Sequence, residues 1–131
     1  MALHITIVAP DRTVWDSDAE EVILPSSTGQ LGILRGHAPL LTALDIGVMR
    51  VRIDKEWTPI ALMGGFAEIQ NDRLIILVNG AEEGSKINKE EAETNLEKMT
   101  IRFNEAVTSK EKIQATQNLR KARARVQGAM A

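Results

Sequence analysis

Residues 3–10 read "LHITIVAP", in which apolar and polar side chains alternate. Leu3, Ile5 and Ile7 fall on one face of an extended chain, as expected of a half-buried β-strand. Further apolar runs follow as far as residue 84: "AEEVILP", "GQLGIL", "GVMRVRI", "WTPIALM", "FAEIQ" and "RLIILV". Turn-forming segments separate them, including "PSSTG", "RGHAP", "LDIG", "DKE", "GG" and "QND". Short strands at such close spacing predict that residues 1–84 form an all-β sandwich or barrel.

Residues 85–131 carry a helical pattern instead. Asn88 and Thr108 are each followed three residues later by an acidic residue, Glu91 and Glu111, which is typical of a helix start. Two apolar stripes then recur at steps of three and four: Ala92, Leu96, Met99, Phe103 and Ala106, and Ala115, Leu119, Ala122, Val126 and Ala129. They predict an antiparallel helical hairpin. Because the second stripe is mostly alanine, which stabilises little on burial, we expect the hairpin to dock weakly.

The net charge of −2 conceals two electrostatically different parts. Residues 1–84 hold 6 Lys and Arg against 12 Asp and Glu, whereas residues 85–131 hold 10 against 6. A nucleic-acid-binding protein usually carries its basic face on the main domain, which is acidic here. The chain has no cysteine, so a disulfide framework and a thiolate metal site are excluded. No apolar run approaches the roughly 20 residues of a membrane span, and the N-terminal pattern predicts no signal or transit peptide.

Catalytic and metal-binding patterns are not found in the sequence. His4 and His37 lack metal-ligand spacing to another ligand, and no phosphate-binding glycine signature occurs. Four acidic residues, Asp16, Asp18, Glu20 and Glu21, could be proposed as a cation site, but a solvated strand edge is the better interpretation. We therefore expect no catalytic residue, no metal and no cofactor.

Residues 118–127, "NLRKARARVQ", concentrate four cations, Arg120, Lys121, Arg123 and Arg125. Such a helix could bind nucleic acid, an anionic membrane or an acidic protein, or could simply face the solvent. The apolar seam beside it has no Trp or Phe to insert into lipid. Taken with the acidic main domain, this pattern favours a protein partner or a solvated face.

Several segments resemble the epsilon subunit family of F-type ATP synthases. They are "STGQLGILRGHAPLLTALDIGVMRV", "ALMGGFAEI" and "LIILVNGAEEGSKI", and the similarity extends over the whole chain. The segments "TVWD" and "ALMGGFAEI" are most similar to those of cyanobacterial and chloroplast members. The resemblance implies a non-catalytic rotor subunit that is peripheral to the thylakoid membrane, on its stromal or cytoplasmic side. Its β-domain would bind the gamma subunit and the c-ring, coupling rotation to ATP synthesis.

The resemblance also implies roles for individual residues. Gln30, Leu31, Arg35 and His37 would make the rotor contacts, with Gln30 near the c-ring and His37 near gamma. Gln30 is not acidic, unlike the residue of some relatives, so a charge pair is not expected there. The helical hairpin would restrain ATP hydrolysis at the alpha–beta catalytic ring, where Arg120, Lys121, Arg123 and Arg125 would meet an acidic loop of the beta subunit.

One motif of the family departs from its usual form. Some bacterial members bind ATP through a motif of the form Ile/Leu-Asp-x-x-Arg-Ala, and the corresponding residues here are "INKEEA". Asn88 replaces the acid and Glu91 replaces the cation, so Glu91 would repel a triphosphate. We expect no ATP binding at this position.

Two alternatives come from other classes of protein. The first is a β-sandwich module whose basic helix binds nucleic acid, which would show steeply salt-dependent binding. The second is a small enzyme that uses the acidic patch with a divalent metal.

Overall fold

The computed structural model describes residues 2–131. Within that range the chain forms eight strands, a 3₁₀ turn and two helices. The strands are β1 (Leu3–Ala9), β2 (Arg12–Ala19), β3 (Glu21–Ser26), β4 (Gly29–Leu34), β5 (Leu40–Ile53), β6 (Glu56–Gln70), β7 (Arg73–Val78) and β8 (Ala81–Glu83). The 3₁₀ turn spans Gly84–Lys86, and the helices are α1 (Lys89–Glu105) and α2 (Ser109–Met130).

The strands form one hydrogen-bonded sheet that folds over on itself. Its order is β2-β1-β7-β6-β5-β3-β4, and β8 pairs with β6. β1 and β7 run parallel, whereas the other pairs are antiparallel. Side chains of β1 and β3, which are distant in this order, share one buried cluster, so the two ends of the sheet face each other. The predicted β-sandwich followed by a helical hairpin is thus confirmed.

β5 and β6 form one long ribbon, and two of the predicted turns are wrong. The segments "LDIG" (44–47) and "GG" (64–65) lie inside these strands. The core-facing residues of β6 lie at even positions before the glycines and at odd positions after them: Ile60, Leu62, Ala67 and Ile69. Gly64 has a φ of 84°, and a Cβ on Gly65 would collide with the carbonyl oxygen of Leu77. The glycines therefore let the ribbon exchange its inner and outer faces without ending the strand.

β2 is a strand that the sequence pattern does not predict. It lies at one end of the sheet order and pairs with β1 along its length. Its exposed residues are polar and its apolar residues are few, which conceals the alternation. Of the four residues interpreted as a solvated strand edge, Asp16 and Asp18 lie exposed on this strand, whereas Glu20 lies in the bend after it and Glu21 is half-buried in β3.

Both helices begin at the predicted residues. The Asn88 Oδ1 atom accepts a hydrogen bond from the Glu91 backbone N–H at 3.0 Å, and the Thr108 hydroxyl accepts one from Glu111 at 3.1 Å. In α2 the buried residues include Ala115, Leu119 and Ala122 of the predicted stripe, together with Ala124 and Gly128, which the stripe did not include. In α1 Ala92 alone is buried, and Phe103 of the predicted stripe is exposed.

The hairpin lies folded against the sandwich but does not enter its core. The main buried cluster is built from residues of the strands, between Leu3 and Ala81. A second, small cluster joins the hairpin to β6: Ala61, Ile87 and Ala92, with Met63, Val126 and Ala129 partly buried against it. Because the main core contains no helical residue, the sandwich can keep its fold when the hairpin leaves.

Candidate functional site

The residues predicted to contact the rotor lie at the two ends of β4. Gln30 is the second residue of this strand, and it borders a groove shared with the last residues of α2. Arg35 and His37 follow the end of the strand, where the Gly36 N–H donates to the Asp72 carboxylate at 2.6 Å. Leu31 lies between them and packs partly against the main core. The structure therefore brings Arg35 and His37 together and places Gln30 apart from them.

An exposed apolar row crosses the outer face of the sheet, and the sequence pattern did not predict it. Val8, Leu77, Phe66 and Ala43 are successive neighbours across β1, β7, β6 and β5. Phe66 is 56% exposed, Leu77 54% and nearby Leu41 68%, and Ala43 is also exposed, whereas Val8 is half-buried. We call Val8, Leu41, Ala43, Phe66 and Leu77 the outer apolar row.

A signal for the outer apolar row does exist in the sequence. The strand "RLIILV" is apolar at five consecutive positions, whereas a strand with one solvated face should alternate. The outward positions of β7 are therefore apolar without being buried, as at Leu77. Apolar surface of this kind is typical of a binding face.

The hairpin and the outer apolar row occupy different parts of the β5–β6 ribbon. Ala61 and Met63 lie before the glycines and are covered by the hairpin, whereas Phe66 lies after them and is uncovered. The face exchange at Gly64 and Gly65 thus creates two separate outer surfaces. A partner can therefore bind the outer apolar row without displacing the hairpin from its own surface.

The four cations of residues 118–127 have unequal surroundings in the folded hairpin. Arg125 forms two hydrogen bonds with the Glu82 carboxylate, at 2.8 and 3.2 Å. Arg120 lies 3.9 Å from the Asp45 carboxylate, with both side chains about half exposed. Within residues 2–131, no ion pair within 4.0 Å is found for Lys121 or Arg123. Two of the four cations therefore already face acidic residues of the sandwich.

Asn88 and Glu91, which depart from the ATP-binding motif, serve to start α1. The side chain of Asn88 caps the helix by accepting from the Glu91 backbone N–H. Glu90 and Glu91 add two negative charges to the first turn of α1. These charges stabilise the helix N-terminus, and they would oppose an anionic ligand there.

The acidic patch is divided among separate partners. Asp16 and Asp18 flank His4, whereas Glu20 accepts from the Lys55 backbone N–H and Glu21 pairs with Arg52 at 3.2 Å. Across residues 2–131, no group of three or more His, Cys, Asp or Glu side chains has a metal-binding arrangement. In the same range, neither helix is long and apolar enough to cross a lipid bilayer.

His4 is held between two carboxylates on the outer face of β1. Its Nε2 atom lies 2.7 Å from Asp16 Oδ1, and its Nδ1 atom lies 2.8 Å from Asp18 Oδ1. Both ring nitrogens can donate only in the imidazolium form. The hydrogen bond to Asp18, with that to Asp16, raises the pKa of His4 above its ordinary value. Arg73, which pairs with His4 across β1 and β7, is a positively charged residue on the side of β1 opposite to β2.

This arrangement predicts a pH-dependent contribution of His4 to stability. Because its pKa is higher in the folded state than in the unfolded one, the contribution is complete below about pH 6.5 and is lost as the pH rises through the folded-state pKa. We expect His4→Gln to lower the urea midpoint more at about pH 5.5 than at about pH 8.5. Asp11→Asn, which removes a carboxylate outside this cluster, is the control. Equal losses for His4→Gln at both pH values would contradict the prediction.

Comparisons with known proteins agree with the fold and extend over the whole chain. The model of the ATP synthase delta/epsilon chain β-sandwich domain matches residues 2–84, and that of the family's long α-helix domain matches residues 85–129. The chloroplastic ATP synthase epsilon chain of Guillardia theta is 73% identical over 131 residues, covering 100% of both chains. The ATP synthase epsilon chain of a Cyanothece strain is 60% identical over 132 residues, covering 98% of this chain and 96% of the relative.

A solved structure supports the same fold. A chain of the Euglena gracilis mitochondrial ATP synthase, in an assembly with its c-ring, superimposes with a TM-score of 0.84 at 18% identity. The match covers 99% of this chain and 82% of the other. The two family models and the two epsilon chains confirm the family resemblance noted in the sequence. The chain belongs to the ATP synthase delta/epsilon chain family, among the epsilon chains of the chloroplast and cyanobacterial type.

Proposed function

We propose that this chain is a non-catalytic central-stalk subunit of a proton-translocating ATP synthase on the thylakoid membrane, at its stromal or cytoplasmic side. In this proposal residues 1–84 bind the gamma subunit and the c-ring and help to transmit rotation. Residues 85–131 form a regulatory hairpin that restrains ATP hydrolysis at the alpha–beta ring. The relatives carry the name of epsilon chain, and their similarity over the full length supports the same role here.

The outer apolar row is the observation that carries the rotor-binding part of the proposal. A contiguous set of exposed apolar side chains on a rigid sheet is suited to a stable protein interface, which has an apolar centre and a polar rim. Leu34 is 53% exposed and precedes the turn that holds Arg35 and His37. The row and this turn can thus form the gamma contact together.

Gln30 is proposed to lie in a second contact, with the c-ring. It occupies the other end of β4, and its uncharged amide can donate and accept hydrogen bonds but cannot form an ion pair. The groove beside it also contains Gln127 and Met130 of α2. A c-ring contact at Gln30 would therefore adjoin the end of the folded hairpin.

The inhibitory part of the proposal rests on the basic surface of α2, by which we mean Arg120, Lys121, Arg123 and Arg125, and on the modest interface through which the hairpin docks on the sandwich. The small cluster that joins the hairpin to the sandwich has three buried members, Ile87, Ala61 and Ala92, while Met63, Val126 and Ala129 are only partly buried against it. An interface of this size favours the folded position without excluding release. Once released, the helix can present its cations to an acidic partner.

Replacing Arg120, Arg123 and Arg125 by Ala tests this role. We expect the concentration of the chain that gives half-maximal inhibition of ATP hydrolysis to rise by about tenfold at low salt. The difference from wild type should shrink at high ionic strength, because the Debye length falls from about 10 Å at 0.1 M to about 3 Å at 1 M.

The matched control removes three other cations of the hairpin, Lys98, Lys110 and Lys112, by substitution with Ala. It should inhibit nearly as well as wild type, since these residues lie outside the basic surface. An unchanged inhibition curve for the arginine variant would exclude these arginines from the mechanism.

A further inference from the structure

We propose that Glu82 and Arg125 form a latch that holds the hairpin on the sandwich, and that Glu82 competes with any external acidic partner for Arg125. The inference deepens the proposed inhibitory role. Its structural half, the latch itself, can be tested without that role. We call the pair Glu82 and Arg125 the latch.

The geometry of the latch is that of a strong, oriented ion pair. The Arg125 Nε atom donates to Glu82 Oε1 at 2.8 Å, and Nη2 donates to Glu82 Oε2 at 3.2 Å. Two parallel hydrogen bonds between a guanidinium and a carboxylate are stronger and more directional than a single contact. The Arg125 side chain is 21% exposed and that of Glu82 is 41% exposed, so solvent screens the pair in part, from the Glu82 side.

Around the latch, the backbone of α2 lies unusually close to β8 and to the 3₁₀ turn that follows it. Glu82 pairs with Ala61 across β8 and β6, and Gly128 packs against Ala61. A Cβ on Gly84 would collide with the carbonyl oxygen of Gly128. Gly128 lies three residues after Arg125, on a neighbouring part of the same helix face. The fit of these glycines therefore positions Arg125 opposite Glu82.

The other charges near this interface contribute less to docking. The pair of Arg120 with Asp45 spans 3.9 Å between two half-exposed side chains, which is a weak contact. Glu83 points to the other face of β8 and pairs with Lys86 at 3.3 Å. Glu82 thus stands out as the acidic residue of the sandwich that binds a cation of α2 through two hydrogen bonds.

The consequence is an exchange of partners for one cation. While the hairpin is docked, Arg125 donates to both carboxylate oxygens of Glu82. An acidic loop elsewhere cannot then form the same bidentate pair with Arg125. When the hairpin leaves, the guanidinium keeps an equivalent interaction only if another carboxylate replaces Glu82. Such an exchange leaves the two positions of the hairpin close in free energy, so a binding partner can shift the population.

Hydrogen exchange of the α2 amides in the isolated full chain tests the latch directly. We expect Glu82→Gln, which keeps the shape and removes the charge, to speed exchange of residues 119–128 by about tenfold, equivalent to 1.4 kcal/mol. The control is Glu83→Gln, an identical substitution on the adjacent residue, which should leave exchange in α2 unchanged. Equal exchange for wild type and Glu82→Gln, or equal acceleration by both variants, would overturn the latch.

Swapping the two charges of the latch distinguishes the latch itself from the proposed inhibitory role. The double variant Glu82→Arg with Arg125→Glu should restore slow exchange in α2 relative to Arg125→Glu alone, and failure to restore it would also overturn the latch. In an ATP hydrolysis assay, Glu82→Gln should inhibit at a lower concentration than wild type. If exchange responds as expected while neither wild type nor Glu82→Gln inhibits, the latch stands and the proposed inhibitory function is wrong.

Discussion

Replacing Phe66 and Leu77 together by Glu is expected to lower the affinity of the chain for the gamma subunit by at least about 100-fold. Burying each of these side chains in an interface is worth about 1.5–3 kcal/mol, and each tenfold change in affinity corresponds to about 1.4 kcal/mol. The substitutions also place two carboxylates in the centre of an apolar contact, where desolvation opposes binding. Isothermal titration calorimetry with purified gamma measures the effect.

Both side chains are more than half exposed, so the variant should keep the fold of the sandwich. The control places two glutamates on the hairpin instead, at Val107 and Ile113, which are 78% and 64% exposed. It adds the same charge away from the outer apolar row and should bind gamma like wild type. A loss of less than about threefold for Phe66→Glu with Leu77→Glu would show that gamma binds elsewhere.

Removing residues 108–131 is expected to raise ATP hydrolysis by the assembled enzyme at least about fivefold, the lower end of typical coupling between two sites. The truncation removes α2 with Arg120, Lys121, Arg123 and Arg125, and therefore the whole basic surface. The main core lies between Leu3 and Ala81 and loses no member. Steady-state hydrolysis of ATP by the complex, reconstituted with full-length or truncated chain, measures the change.

The arginine variant described above serves as the comparison for the truncation. If the cations carry the inhibition, the triple Ala substitution should recover most of the increase in hydrolysis. If the truncation raises ATP hydrolysis and the triple Ala substitution does not, the inhibition would be assigned to the bulk of the helix rather than to its cations. Unchanged hydrolysis with the truncation would contradict the regulatory role of the hairpin.

Local patterns predicted much of this fold because they depend on neighbouring residues. The alternation in "LHITIVAP" and the caps at Asn88 and Thr108 involve side chains within a few positions of one another. By contrast, "LDIG" and "GG" contain turn-forming residues, yet they lie in continuous strands. Pairing across the long β5–β6 ribbon overrides the local preference there.

The candidate site depended more on tertiary structure than on sequence. The basic helix was visible from its charges, but the partner of Arg125 is Glu82, 43 residues away in the chain. The outer apolar row joins residues of four strands, and its members become neighbours only through the sheet order. The run "RLIILV" signals an apolar outer face on one strand, but it does not show which residues of the other strands complete the surface.

Binding of gamma by the full-length chain and by the chain lacking residues 108–131 tests the central claim most directly. The claim is that the sandwich alone binds the rotor, while the hairpin regulates. We expect both chains to retain gamma equally in a pull-down, because the outer apolar row and the hairpin occupy separate parts of the ribbon. Loss of gamma on truncation, or no binding by the full-length chain, would contradict the account.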